Sequence, residues 1–248
     1  MTPNPIRTVL SSMRMHGVRC LLMGGQACVF YGAAEFSRDT DFVLLASPAN
    51  LDRFRAALAG LHAERIAVPP FETDYLRRGH AIHFRCQHPD VAGFRIDVMS
   101  VLRDMAPFDD LWERRITIET NDGDIIDLLS LEDLVLAKKT QRDKDWPMVR
   151  RLVEVHYLSN RAHPESTQIE WWLAELRTAT LLVEAVVRHP DAARALAGRR
   201  PAVARAIEGD VQLVEDALMK EERAEREADR RYWLPLRQEL EQLRHSQR

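Results

Sequence analysis

The chain has 248 residues, 46% of them hydrophobic and 29% charged, which supplies enough apolar material for one large core or two modest ones. A formal net charge of −3 excludes the global basic field that announces a nucleic-acid partner, and neither half of the sequence is distinctly basic. No apolar run approaches the ~20 residues that span a bilayer, the first residues lack the apolar stretch of a secretory signal, and three cysteines argue against a disulfide framework, so a cytoplasmic protein with no membrane partner is expected.

PIRTVLSSMRMHG predicts an amphipathic helix ended by Gly17, and RCLLMGG a short buried strand that runs into Gly24 and Gly25. QACVFYG suits one or two helical turns. TDFVLLA reads as a strand, Ser47-Pro48 punctuates it, and ANLDRFRAALAGL keeps helical spacing up to Gly60. HAIHFRCQ and FRIDVMS are β-rich runs on either side of HPDVAG, whose Pro, Asp and Gly make a turn, so they predict an antiparallel hairpin. RITIET and DIIDLLS, joined across NDGD, repeat the arrangement.

From about residue 131 the chain reads as helix after helix. LSLEDLVLAKKTQ opens on Ser130 as N-cap with Asp133 three residues on, and DKDWPMVRRLVEVHYL carries Pro147 in its first turn. STQIEWWLAELRTATLLVEAVVRH, shorter helices around Pro190 and Pro201, and a long charged helix from about Asp210 follow. The mixed-sign run KEERAEREADRR reads as a solvated helix face. The composition shift sets the expected boundary: an α/β domain with a small mixed sheet over residues 1–130, then a helical region over 131–248.

Chemistry is concentrated in the first half. Asp39 and Asp41 stand two apart at the start of a strand, and because side chains alternate in β-structure both carboxylates project from one face. Their repulsion calls for a cation, a basic partner or water, and hard oxygen ligands without His or Cys close by favour Mg²⁺ or Mn²⁺ over zinc. Asp97 is the one acid in the otherwise apolar run Phe94, Ile96, Val98 and Met99, so its burial requires a partner. If that strand lies beside TDFVLLA, Asp97 completes a three-carboxylate cluster suited to a two-metal site. Gly24 and Gly25 end a strand just before a helical segment, where backbone N–H groups can face a phosphate without a Cβ in the way. Ser37 and Arg38 add a hydroxyl and a cation.

LLMGGQACVFYGAAEFSRDTDFVL resembles the signature of the polymerase-β-type nucleotidyltransferase superfamily, a Gly-Gly turn followed by an Asp-x-Asp strand, and is particularly similar to its AbiEii-like branch. The branch pattern of Gly-Gly-x-Ala, Gly, a basic residue, Thr and the Asp pair is matched by Gly24, Gly25, Ala27, Gly32, Ser37, Asp39 and Asp41. LSLEDLVLAKKTQRDKDWPMVRRL resembles the branch's helix with Lys followed by a Lys-Asp pair, which implies that Lys138, Lys144 and Asp145 lie near the nucleotide. The resemblance covers residues 20 to about 155. It implies a small mixed-sheet nucleotidyltransferase core flanked by helices, with Mg²⁺ or Mn²⁺ as cofactor. The implied reaction is transfer of a nucleoside monophosphate from a nucleoside triphosphate, with release of pyrophosphate. Asp39 and Asp41 would hold the metals and the triphosphate. Asp97 would bind the second metal and help remove the acceptor hydroxyl's proton. The acceptor is left open between an RNA end, a protein hydroxyl and a small molecule, and the AbiEii-like branch points towards a toxin-like role.

Two positions depart from the branch pattern: Glu35 stands where a basic residue is usual, and Ser37 replaces Thr. Glu35 favours a rival reading, a non-catalytic antitoxin-like or regulatory module that meets a protein partner through its C-terminal helices. A metal-dependent glycosyltransferase would use an Asp-x-Asp pair but gives no reason for the Gly-Gly turn. His80, His83, Cys86 and His88 fall on both faces of a strand and into its turn, which argues against zinc. Trp171 and Trp172 read as helix packing rather than a stacking platform. Lys138 is read either as a phosphate ligand or as a snorkelling surface lysine on its helix.

Overall fold

A computed structural model of the chain describes residues 5–120 and 123–246. It is a mixed α/β protein with a seven-stranded sheet and a helical C-terminal region. Two compact units are present: Met1–Ala137 with Tyr232–Arg248, and Lys138–Arg231.

The first unit begins with α1 (Pro5–Met15), β1 (Cys20–Met23), α2 (Gly24–Phe30), β2 (Asp39–Leu44) and α3 (Pro48–Gly60). It continues through β3 (Ala63–Arg65), α4 (Thr73–Arg77), β4 (Ile82–Cys86), β5 (Arg95–Met99), α5 (Phe108–Glu113), β6 (Ile116–Glu119), β7 (Ile125–Leu128) and α6 (Leu131–Ala137). The strand order is β3-β4-β5-β2-β1-β7-β6. β2 runs parallel to β5, and β1 parallel to β7, while the other neighbours are antiparallel. The sheet is therefore mixed, as expected.

Local sequence explains most of these elements. The hairpin expected from HAIHFRCQ and FRIDVMS is the β4–β5 pair, closed by a short 3-10 turn at Pro89–Val91. β6 and β7 form the second hairpin, and Asn121 and Asp122 of its NDGD junction lie outside the described residues. Ser47 caps α3 by accepting the Asn50 N–H, with Pro48 in the first turn. Ser130 likewise accepts the Asp133 N–H at the start of α6. β3 and α4, three and five residues long, are too short for either periodicity to register in the sequence.

One face of the sheet is dry. Thr40 and Phe42 of β2, Ile96 and Val98 of β5, and Ile82 and Phe84 of β4 are all buried. They alternate with the charged residues of the same strands. Phe84 meets Phe54 of α3 and Phe71, with ring centroids 5.4–5.8 Å apart among the three. The C-terminal turns belonging to this unit are anchored by Glu239, which accepts from Arg78 at 2.8 Å and contacts the buried His80 ring at 2.7 Å.

The second unit holds α7 (Trp146–Asn160), α8 (Ser166–Glu175), α9 (Ala179–Arg188), α10 (Pro190–Ala197), α11 (Pro201–Glu208) and the part of α12 (Val211–Ser246) that ends at Arg231. The segment STQIEWWLAELRTATLLVEAVVRH is two helices, because Leu176 leaves helical geometry at ψ 129°. Trp172 is fully buried, stands edge-on to Tyr157, and donates its indole N–H to His156 Nδ1 at 2.9 Å, so it packs helices. KEERAEREADRR is not a purely solvated face. Glu221 accepts from Arg200 and Arg177, Arg226 pairs with Asp143, and buried Asp229 accepts the Gln141 N–H at 2.8 Å. Charges on one helix were expected to serve one another, whereas these hold inter-helix loops. Among the described residues no helix is long and apolar enough to cross a membrane.

Candidate active site

Asp39 and Asp41 lie on β2 with buried Thr40 between them, so alternation puts both carboxylates on the face opposite the aromatic core. The register supplies the rest. Asp41 is level with Asp97 on β5, and Asp39 is level with Arg95, so two strands carry four charged residues as the corners of a rectangle. Strand spacing and rise make its sides ~4.8 Å and ~6.7 Å. At an effective dielectric near ~20, two carboxylates at such distances repel by roughly 2.5–3.5 kcal/mol. Three acids on one face therefore need compensating charge.

Part of that compensation comes from the fourth corner. Arg95 Nε donates to Asp97 Oδ1 at 2.7 Å, and its Nη2 lies 3.0 Å from His83 Nδ1 on β4. His83 Nδ1 is also 2.8 Å from the same Asp97 oxygen. A single ring nitrogen donates to the carboxylate or accepts from the guanidinium, not both at once, so the histidine tautomer decides which contact is a hydrogen bond. Sequence reasoning missed Arg95 and His83 as members of this site. The signal was present for Arg95, which stands two before Asp97 and shares its face.

Both glycines owe their place to crowding. Gly24 has φ +71°, and a Cβ built on it would lie 1.9 Å from Asp41 Oδ2 and 2.6 Å from its Cγ. Only glycine lets the turn after β1 lie against that carboxylate. A Cβ on Gly25 would come 2.8 Å from Ser37 Oγ. Ser37 is buried, and its hydroxyl is 3.0 Å from the Asp39 carbonyl oxygen and 3.1 Å from Asp39 Oδ1. It fixes the lead-in to β2 and one carboxylate together. Glu35 and Arg38 are exposed on the loop before them.

Lys138, Lys144 and Asp145 belong to the second unit. α6 stops at Ala137, so Lys138 lies just beyond the helix on which it was expected, and it is buried rather than snorkelling. Its ammonium donates to Asp145 Oδ1 at 3.1 Å, while Thr140 Oγ1 and Arg142 Nε donate to Oδ2 at 2.6 and 2.7 Å. Burial alone would raise the Asp145 pKa. Lys138, Thr140 and Arg142 outweigh it and hold the carboxyl below its ordinary value. Lys144 is exposed.

The His80, His83, Cys86 and His88 set does not assemble. His80 faces Glu239, His83 faces Asp97, His88 Nδ1 accepts the Asp90 N–H, and burial pushes the Cys86 thiol up to about 11. Among the described residues no group of three or more His, Cys, Asp and Glu is drawn together as a ready metal cage. Asp39 and Asp41 nonetheless suit a hard divalent cation in donor type and in shared face. Asp97 lies beside them and is held by Arg95 and His83. No protein-family model matches the chain, and no curated protein matches it.

Proposed function

We propose that this chain is a metal-dependent nucleotidyltransferase that moves a nucleoside monophosphate from a nucleoside triphosphate to an acceptor hydroxyl. The observation that carries the reading is the packing of the Gly24 turn against Asp41, with Asp39 and Asp97 on the same sheet face. The resemblance of residues 20 to about 155 to polymerase-β-type nucleotidyltransferases supports it. Mg²⁺ or Mn²⁺ would supply positive charge to the triphosphate and its leaving pyrophosphate. Asp39 and Asp41 hold that ion, and Ser37 fixes the Asp39 carboxylate by hydrogen bonding. Gly24 and Gly25, packed against Asp41 and Ser37, are assigned to the phosphates on the resemblance, with Arg38 as a nearby cation in the chain. Asp97 accepts the acceptor hydroxyl's proton once its oxygen is available. Lys138, Lys144 and Asp145 are assigned to the nucleotide on the resemblance alone.

The acceptor is an RNA end, a protein hydroxyl or a small molecule, with a toxin-like role suggested by the AbiEii-like resemblance. Cys20, Cys28 and Cys86 are buried and form no disulfide among the described residues, which suits a reducing cytoplasm. Mn²⁺ should raise nucleoside triphosphate affinity in the natural sequence and leave it unchanged in an Asp39→Ala, Asp41→Ala double variant. A double variant that keeps the metal response sinks the site. Incubation with labelled triphosphates and whole-cell extract then identifies the acceptor class. If triphosphate binds but no label moves, the chain is the non-catalytic module that exposed Glu35 favours.

A further inference from the structure

Gln26 follows Gly24 and Gly25 in α2. It is only 6% exposed, and its Oε1 is buried with no hydrogen-bond partner among the described residues. A buried acceptor left without a donor costs the fold free energy, so the position calls for a function that the folded chain alone does not fulfil. Its place in the helix says where a donor can come from. The Cα–Cβ bond of a helical residue tilts towards the start of its helix, so the Gln26 side chain leans back over the two glycines. A Cβ on Gly24 would meet Asp41, and one on Gly25 would meet Ser37 Oγ, which bonds Asp39 Oδ1. Gln26 therefore stands behind the turn that borders both acids of β2.

We propose that Gln26 is an outer-sphere ligand of the divalent ion, its Oε1 accepting a hydrogen bond from a water that the ion carries. The inference rests on the cation site proposed above. Phosphate oxygens are acceptors themselves and cannot satisfy Oε1. A hard ion such as Mg²⁺ keeps several of its waters, and by lowering their pKa it makes them stronger donors than bulk water. Oε1 is closed to solvent in the ion-free protein, and rotation about the soft terminal torsion of the glutamine turns it towards the ion's water.

Mn²⁺ titration of the full chain, followed by the loss of the free-ion electron paramagnetic resonance signal, tests this without reference to activity. Gln26→Met keeps the side-chain length and removes the acceptor. It should bind Mn²⁺ about tenfold more weakly, the lower end of what outer contacts contribute to metal affinity. Without the ion it should unfold at a higher urea concentration than the natural sequence, because the unpartnered oxygen is gone. Gln26→Glu keeps an acceptor and loses the donors, and should hold Mn²⁺ at least as tightly as the natural sequence. Unchanged Mn²⁺ affinity in Gln26→Met, equal losses in both variants, or a lower urea midpoint for ion-free Gln26→Met overturns the role of Gln26. In each of these cases the cation site stands if the Asp39→Ala, Asp41→Ala variant loses the ion. No bound ion in the natural sequence overturns both readings.

Discussion

Gly24→Ala is the most direct probe of the site's architecture, because the structure separates its two penalties. At φ +71° an alanine costs about 1–2 kcal/mol through its backbone alone. The new Cβ would also stand 1.9 Å from Asp41 Oδ2, 2.6 Å from Cγ and 2.8 Å from Cβ. To reach ordinary contact near ~3.5 Å the carboxylate oxygen must retreat by roughly 1.5 Å, which forces the side chain off its rotamer or shifts β2 against β1. Such overpacking costs about 1–3 kcal/mol, for a total of about 2–5 kcal/mol. Gly17→Ala supplies the control. Gly17 also has positive φ, +61°, but among the described residues nothing lies within 4 Å of its Cβ position, so it should lose only the backbone term.

Urea denaturation of the two variants should therefore differ by at least about 1 kcal/mol, with Gly24→Ala the weaker protein. Repeating Gly24→Ala in an Asp41→Gly background removes all three clashing atoms and should recover the difference, appearing as a coupling energy of about 1–3 kcal/mol in the double-mutant cycle. Mn²⁺ affinity should fall in Gly24→Ala and hold in Gly17→Ala. Equal stability losses at the two glycines, or strict additivity with Asp41→Gly, would refute the claim that this turn exists to admit Asp41.

Two further outcomes follow from buried polar groups away from the charged face. Thr40 is fully buried and its hydroxyl has no hydrogen-bond partner among the described residues, so Thr40→Val should stabilise the protein by about 1 kcal/mol, read as a higher urea midpoint, and a loss of stability would show that the hydroxyl is satisfied after all. Asp145→Asn should cost about 3 kcal/mol near neutral pH, because it leaves the buried Lys138 ammonium without its counter-charge. Since the folded pKa of Asp145 is depressed, its contribution is complete above the unfolded value of ~3.9 and fades as pH falls through the folded value. The stability gap between the two proteins should shrink only below about pH 4. A gap that closes between pH 5 and 7 would assign it to another group.

The elements that sequence reasoning could place are those whose signal is local. The β4–β5 hairpin is written in HPDVAG, and the cap of α3 in Ser47-Pro48. Alternation along β2 was enough to put Asp39 and Asp41 on one face. What no single segment encodes is lateral register. That Asp41 lies level with Asp97 depends on β2 and β5 being parallel neighbours, which is a property of the whole sheet. The reason for Gly24 was hidden in the same way: the glycine is explained by an aspartate seventeen positions later that the β1–β2 pairing brings alongside. α6 was read too long because Lys138 and Lys139 are good helix formers. In the folded chain they leave the helix to meet Asp145 and Glu175, and those ion pairs outweigh propensity.

Arg95 shows a different kind of omission, since it was within reach of the alternation argument. Asp97 was recognised as an acid in an apolar strand that needed a partner, and a metal was the partner first considered. Arg95, two residues earlier, satisfies the same electrostatic demand with no ion at all. The two remedies are not interchangeable. A guanidinium binds one carboxylate through directed hydrogen bonds and carries a single charge, while a divalent ion gathers several oxygens and attracts phosphate.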